Sequence, residues 1–153
     1  MTNMTKLLLK RCYLDANILA GFTIETSPFH QSAVDLIINL ISNESIIVVS
    51  SLGLDEFLQA MRKDFIIRKF KPDLQIIKKA FTNILKIANL ELVNPSIDKS
   101  EHRKVISFME KYDLRPRDAY HLFIMKSNEI KYFATFDNDF QKVFEAKVLK
   151  KFE

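Results

Sequence analysis

Lys131–Phe140, KYFATFDNDF, is the stretch on which the fold turns. Tyr132, Phe133 and Ala134 form a short apolar run that stops at Thr135. Asp137 and Asp139 follow, with Asn138 between them. A run of this kind suits a buried strand, with acids at its carboxyl end. Asp and Asn favour turns, so a plain turn accounts for the pair. A cation site accounts for it equally, provided other carboxylates reach the same place.

Working outward, strands and helices alternate. Leu7–Leu14 reads as a first strand. SPFHQSAVDLIINLISN, from Ser27, reads as a helix with Ser27 as N-cap and Pro28 at its first position. Ala33, Leu36, Ile37, Leu40 and Ile41 give that helix a buried stripe. Ser45–Ser50, SIIVVS, is a β-branched run suited to a buried parallel strand. The next helix starts at Ser51 and carries Leu54, Phe57, Leu58, Met61 and Phe65 on one side. Further helices are expected over 71–88, 98–112 and 117–128, and a short one from Asp139. Strands are expected at Leu90–Val93, Tyr132–Thr135 and Ala146–Leu149. The alternation predicts an α/β sandwich around a mostly parallel sheet of about five strands, as one domain over residues 1–153. Ligands of such sheets bind beyond the carboxyl ends of the strands.

Four acids fall on that edge. Asp15 ends the first strand in YLDANIL, and Asp137 follows the fourth. Glu56 and Asp118 sit early in helices that start there, in SSLGLDEFLQ and LRPRDAYHL. Each has an ordinary explanation. Asp15 and Asn17 fit an Asx turn, Glu56 fits a solvated margin, Asp118 fits a helix N-terminus, and Asp137 and Asp139 fit turn and cap positions. Asp55 turns about 100° from Glu56 and is the solvated one of the two. Their common rim weakens these explanations. Clustered carboxylates in a cleft repel one another and need protons or a cation. Oxygen donors suit Mg²⁺ or Mn²⁺, and such ions assist hydrolysis of phosphate esters.

Composition narrows the classes further. Of 153 residues 48% are hydrophobic, which is enough for a sizeable core. Two glycines and no G-x-x-x-x-G-K or G-x-G-x-x-G pattern exclude the glycine-rich phosphate loops. A net charge of +4 is compatible with a polyanionic partner without requiring one. Cys12, the one cysteine, rules out an internal disulfide and a cysteine-based zinc site, and fits a reducing compartment. The run Leu7–Leu9 is too short for a membrane span or a signal-peptide core, so a cytoplasmic setting without membrane attachment is expected.

Taken in order, YLDANIL, SSLGLDEF, RPRDAYHL and FATFDNDF resemble the four acidic motifs of PIN domains, most of all the VapC-like toxin ribonucleases of type II toxin–antitoxin pairs. The resemblance runs from Leu9 to about Leu149. It implies a five-stranded parallel sheet flanked by helices and Mg²⁺- or Mn²⁺-dependent endoribonuclease activity on an RNA substrate. It also implies a small antitoxin partner and frequent homodimers. Asp15, Glu56, Asp118 and Asp137 match the metal-binding acids; Asn17 and Thr135 match supporting positions, and Asp139 an additional acid. One departure is the basic segment RKDFIIRKFKPD, 62–73, which reads as a helical extension or a solvated face.

The remaining candidates are weaker. Arg115 and Arg117 flank Asp118 and suit phosphate groups as well as surface roles. His121 is expected to be structural, turned toward Leu122 and Met125, and His30 and His102 have no evident partners. Phe136 and Phe140 fit core packing better than base stacking. A dehalogenase-like phosphatase would need a second acid where Asn17 stands. A regulatory or RNA-binding module without catalysis is the non-enzymatic alternative.

Overall fold

The computed structural model describes residues 10–153. Five strands, Arg11–Leu14 (β1), Ile46–Ser50 (β2), Leu90–Val93 (β3), Tyr132–Ala134 (β4) and Lys150–Lys151 (β5), form one sheet in the order β3-β2-β1-β4-β5. Every neighbouring pair is parallel, with Tyr13 opposite Val48 on one side and Phe133 on the other. Seven α-helices connect the strands: Ala16–Thr23 (α1), His30–Ser42 (α2), Ser51–Ile67 (α3), Leu74–Leu85 (α4), Arg103–Tyr112 (α5), Pro116–Ser127 (α6) and Gln141–Glu145 (α7). This is the three-layer α/β sandwich that the alternation predicts.

Strand periodicity divides the core. Successive side chains point to opposite faces. Cys12, Leu14, Ile47, Val49 and Ala134 therefore pack with Ile18, Ile37, Phe57 and Ile84 on one face. Tyr13, Val48 and Phe133 pack with Val105, Leu122, Phe123 and Val143 on the other. Both faces are covered, which is why β2 runs as the continuous apolar stretch Ile46–Val49. The chain leaves β1 toward β2 and β3, then returns to β4 on the other side of β1. That reversal opens a crevice at the carboxyl ends of β1 and β4.

Several boundaries differ from the reading of the sequence. Helix α1 was not anticipated, because ANILAGFT is only 8 residues long and includes Gly21. Tertiary packing fixes it: a Cβ at Gly21 would lie 3.3 Å from the Ala33 Cβ, so glycine lets α1 and α2 approach. Helix α2 begins at His30 rather than at Pro28. Ser27 accepts from the Phe29 N–H at 3.2 Å and so closes a turn ahead of the helix. Residues 98–112 split into a 3₁₀ turn, Lys99–His102, and α5. The basic segment is the end of α3 followed by a loop with Lys69 at φ 62°, not one helical extension. The last strand is Lys150–Lys151, not Ala146–Leu149, because the chain leaving α7 turns through Lys147 at φ 58°. The part of the first strand expected over Leu7–Leu9 lies outside the described residues. No helix among the described residues is long and apolar enough to cross a membrane.

Candidate active site

The site grows from the end of the central strand. Asp15 follows β1 directly, in extended conformation, and its N–H donates to the Ala134 carbonyl at 3.0 Å. That bond fastens the end of β1 to the end of β4. Thr135, the residue after β4, donates its hydroxyl to Asp15 Oδ2 at 2.7 Å. Asn17 Nδ2 lies 3.3 Å from the same oxygen and 3.2 Å from Thr135 Oγ1. Asn17 Oδ1 accepts from the Phe136 N–H, and Thr135 Oγ1 accepts from the Asp137 N–H at 3.0 Å. One small network thus sets the Asp15 carboxylate and the loop that bears Asp137. Thr135 and Asn17 both engage Oδ2.

The other acids arrive from separate helices. Ser50 ends β2 and caps α3 by accepting from the Gly53 N–H at 3.0 Å. Glu56 follows in the second turn, half-buried, and Asp55 beside it is exposed, as expected from the helical angle. Pro116 opens α6, which places Asp118 in the first turn. Asp15, Asn17, Glu56, Asp118 and Asp137 all line one cleft of about 730 Å³. Asp139 does not line it, but its charge acts on Asp118. Arg115 and Arg117 are exposed and lie outside the cleft lining.

Electrostatics follow from this crowding. Burial raises the Asp15 carboxyl above its ordinary range, against the opposing hydrogen bond from Thr135. Asp118 is pushed up to about 6, first by burial and then by the Asp139 charge, with Asp15 and Asp137 adding to it. Both carboxylates are costly to ionise where they stand. A cation would relieve that cost; among the described residues only Asp15 and Glu56, with His121, bring ligand atoms within 4.8 Å of one another, while Asp118 and Asp137 line the same cleft outside that group.

His121 is where the sequence reading fails. It was expected to turn away from the site. Instead Nε2 lies 2.5 Å from Glu56 Oε1 and Nδ1 lies 2.6 Å from Tyr13 Oη. Asp15, Glu56 and His121 offer ligand atoms within 4.8 Å of one another. The missed signal was simple: residues three apart share a helix face, so His121 had to follow Asp118. Lys63 was also passed over as a site residue. It lines the cleft two turns beyond Glu56. His30 and His102 have structural partners, the Gly21 and Ser96 carbonyls respectively, each at 2.8 Å. Phe140 is buried in the core, and Phe136 stacks on Phe29 with ring centroids 4.9 Å apart.

Known structures share this architecture. VapBC2 from Rickettsia felis, bound to a DNA fragment from its promoter, superposes with a TM-score of 0.67 at 15% identity, over 94% of this chain and 99% of that one. VapC20 of Mycobacterium tuberculosis, a toxin that cleaves the sarcin–ricin loop, gives 0.61 at 14% identity, over 86% and 94%. FitAcB from Neisseria gonorrhoeae gives 0.59 at 13% identity, over 93% and 96%. No curated protein sequence matches the chain. Identities this low speak for the fold alone. The sequence profile of the PIN domain, however, matches residues 12–145, from the middle of β1 through α7, and so takes in all four acids and the strand ends that carry them: this chain belongs to the PIN domain family.

Proposed function

We propose that the protein is a divalent-metal-dependent endoribonuclease, the toxin of a type II toxin–antitoxin pair, with residues 1–153 acting as a single nuclease domain in the cytoplasm. The observation that carries the reading is the convergence of Asp15, Glu56, Asp118 and Asp137 on one cleft from four separate elements. Family membership supports the nuclease chemistry. The likeness to VapC20, VapBC2 and FitAcB supports the toxin assignment and an antitoxin partner.

Asp15, Glu56, Asp118 and Asp137 would hold Mg²⁺ or Mn²⁺, which when bound polarises the phosphodiester and lowers the pKa of water. Asn17 and Thr135 orient Asp15 by engaging one of its oxygens. Asp139 adds negative charge beside Asp118. Lys63 attracts the substrate backbone from the cleft wall, and Arg115 and Arg117 contact phosphates further along the strand. In the reaction the oxygen of water bonds to phosphorus, the bond from phosphorus to the ribose oxygen breaks, and that oxygen leaves with a proton.

The test is incubation of total RNA with purified protein in Mg²⁺, in Mn²⁺ and in EDTA. Discrete cuts that need the metal, and that Asp15→Asn or Asp118→Asn lowers by about 10² or more, are the expected result. Full activity in either variant removes the assignment. RNA left intact in every lane, with Mn²⁺ still bound, favours the regulatory module instead.

A further inference from the structure

Beneath Glu56 runs a buried chain of side chains to which the acid set gives no role. His121 is 1% exposed, Tyr13 and Ser50 are 0%. Ser50 Oγ and Tyr13 Oη are 2.6 Å apart, Tyr13 Oη and His121 Nδ1 are 2.6 Å apart, and His121 Nε2 reaches Glu56 Oε1. The chain starts at a helix cap, since Ser50 Oγ also accepts from the Gly53 N–H. It ends at a residue of the cleft. Tyr13 is a residue of the central strand, paired with β2 on one side and β4 on the other.

We propose that His121 is a positioning residue for Glu56, held by Tyr13 and Ser50 in the one tautomer that donates Nε2–H to the carboxylate. The proton count gives the direction. Among the described residues the Ser50 hydroxyl has one acceptor in reach, Tyr13 Oη, because its other contact is with an N–H. A buried hydroxyl that donates to nothing is costly. Ser50 therefore donates to Tyr13, Tyr13 donates to His121 Nδ1, and the ring proton sits on Nε2. Reversing the chain would leave the Ser50 proton without an acceptor.

Two consequences follow. Glu56 Oε1 is occupied by His121, so Oε2 is the oxygen that faces a cation. Asp15 is likewise held through one oxygen, Oδ2, by Thr135 and Asn17. In addition, both nitrogens of His121 are engaged, so it supports a ligand rather than serving as one, although it lies within the same 4.8 Å group. Partners in this position commonly change metal affinity by about 10–100-fold.

The inference rests on the reading of Glu56 as a cation-holding acid, and two readouts separate the two. The first needs neither metal nor RNA. Long-range ¹H–¹⁵N correlation of the imidazole in the metal-free protein, recorded across pH and read where the ring is neutral, should show the proton on Nε2, with Tyr13→Phe shifting it toward a tautomer mixture. A neutral ring protonated at Nδ1 in the wild type overturns the proposal. The second is Mn²⁺ titration by calorimetry. His121→Leu should weaken binding by about 10–100-fold, and His121→Gln, whose amide keeps a donor at the Nε2 position, should recover most of it. Wild-type affinity in a folded His121→Leu protein overturns the proposal, as does a folded His121→Gln as weak as the leucine variant. If His121→Leu does not fold, the tautomer in Tyr13→Phe and the affinity of His121→Gln still decide. Loss of RNA cleavage by the wild type would remove the ribonuclease assignment and leave the tautomer result standing.

Discussion

Asp118 lines the cleft beside the other acids, and burial first, then the neighbouring charges, raise its proton affinity to a pKa of about 6. The sign of the consequence is fixed. The unfolded chain loses this proton near 3.8, the folded one only near 6. Between these values the folded state binds more protons, so stability falls as pH rises through the window and levels off above it. Asp15 acts in the same direction. The metal-free protein should therefore melt at a higher temperature at pH 4.5 than at pH 7 as far as these two groups are concerned. Asp118→Asn should flatten that slope and raise the melting temperature at neutral pH while removing activity. A melting curve series with and without the substitution checks it; an unchanged slope counts against the shift. Cys12 gives a second residue-scale expectation. It is buried and its thiol is pushed up to about 12. The thiolate is the reactive form, so the native protein should resist thiol reagents that label it readily in denaturant. At this scale the sequence disclosed the acids, since Asp and Glu at strand ends are visible in any chain with strand–helix alternation. It did not disclose the Tyr13–His121–Glu56 contacts, which join residues as far apart as 108 positions.

Helix ends show which local signals were legible and which were not. Asp73, just after Pro72, caps α4 by accepting from the Gln75 and Ile76 N–H groups. Asp73→Ala should cost about 1 kcal/mol, read by urea denaturation, with cleavage unaffected because Asp73 lies outside the cleft lining. A change within error would show that the cap is replaced by water. Ser27 followed by Pro28 has the same local look, yet α2 starts only at His30. The Phe29–Phe136 stack and the His30 bond to the Gly21 carbonyl hold that segment in a turn instead. Helix α1 was missed for the complementary reason. Its 8 residues carry little propensity of their own, and its order comes from packing of Ile18 and Leu19 in the core. The final strand was misplaced because Lys150–Lys151 has no apolar pattern; edge pairing with β4 defines it through backbone bonds.

For the molecule as a whole, stability and site are tied through α3, which carries Glu56 and Phe57 side by side. Phe57 is completely buried one residue from Glu56. Phe57→Ala should cost about 3–5 kcal/mol by cavity formation. Loss of that size should appear in urea as a lower midpoint with an unchanged slope. Clustered acids that destabilise the metal-free fold imply the opposite once a cation binds. Mn²⁺ at about a hundred times its dissociation constant should add about 2.7 kcal/mol, seen as a rise of several degrees in melting temperature that EDTA reverses. No rise with metal would argue that the four acids do not form one ion site.

The sequence by itself determined the layers and the rim. Short apolar strands alternating with amphipathic helices have few ways to bury both faces of a sheet, and acids at the strand ends must then share an edge. The order in which β4 joins β1, the presence of α1, and the placement of His121 under Glu56 were decided only by the tertiary structure. Each depends on contacts between segments far apart in the chain, such as Asp15 with Ala134, Gly21 with Ala33 and His121 with Tyr13. Local periodicity shows which face of an element is buried, but the side chain it meets there depends on how the elements pack.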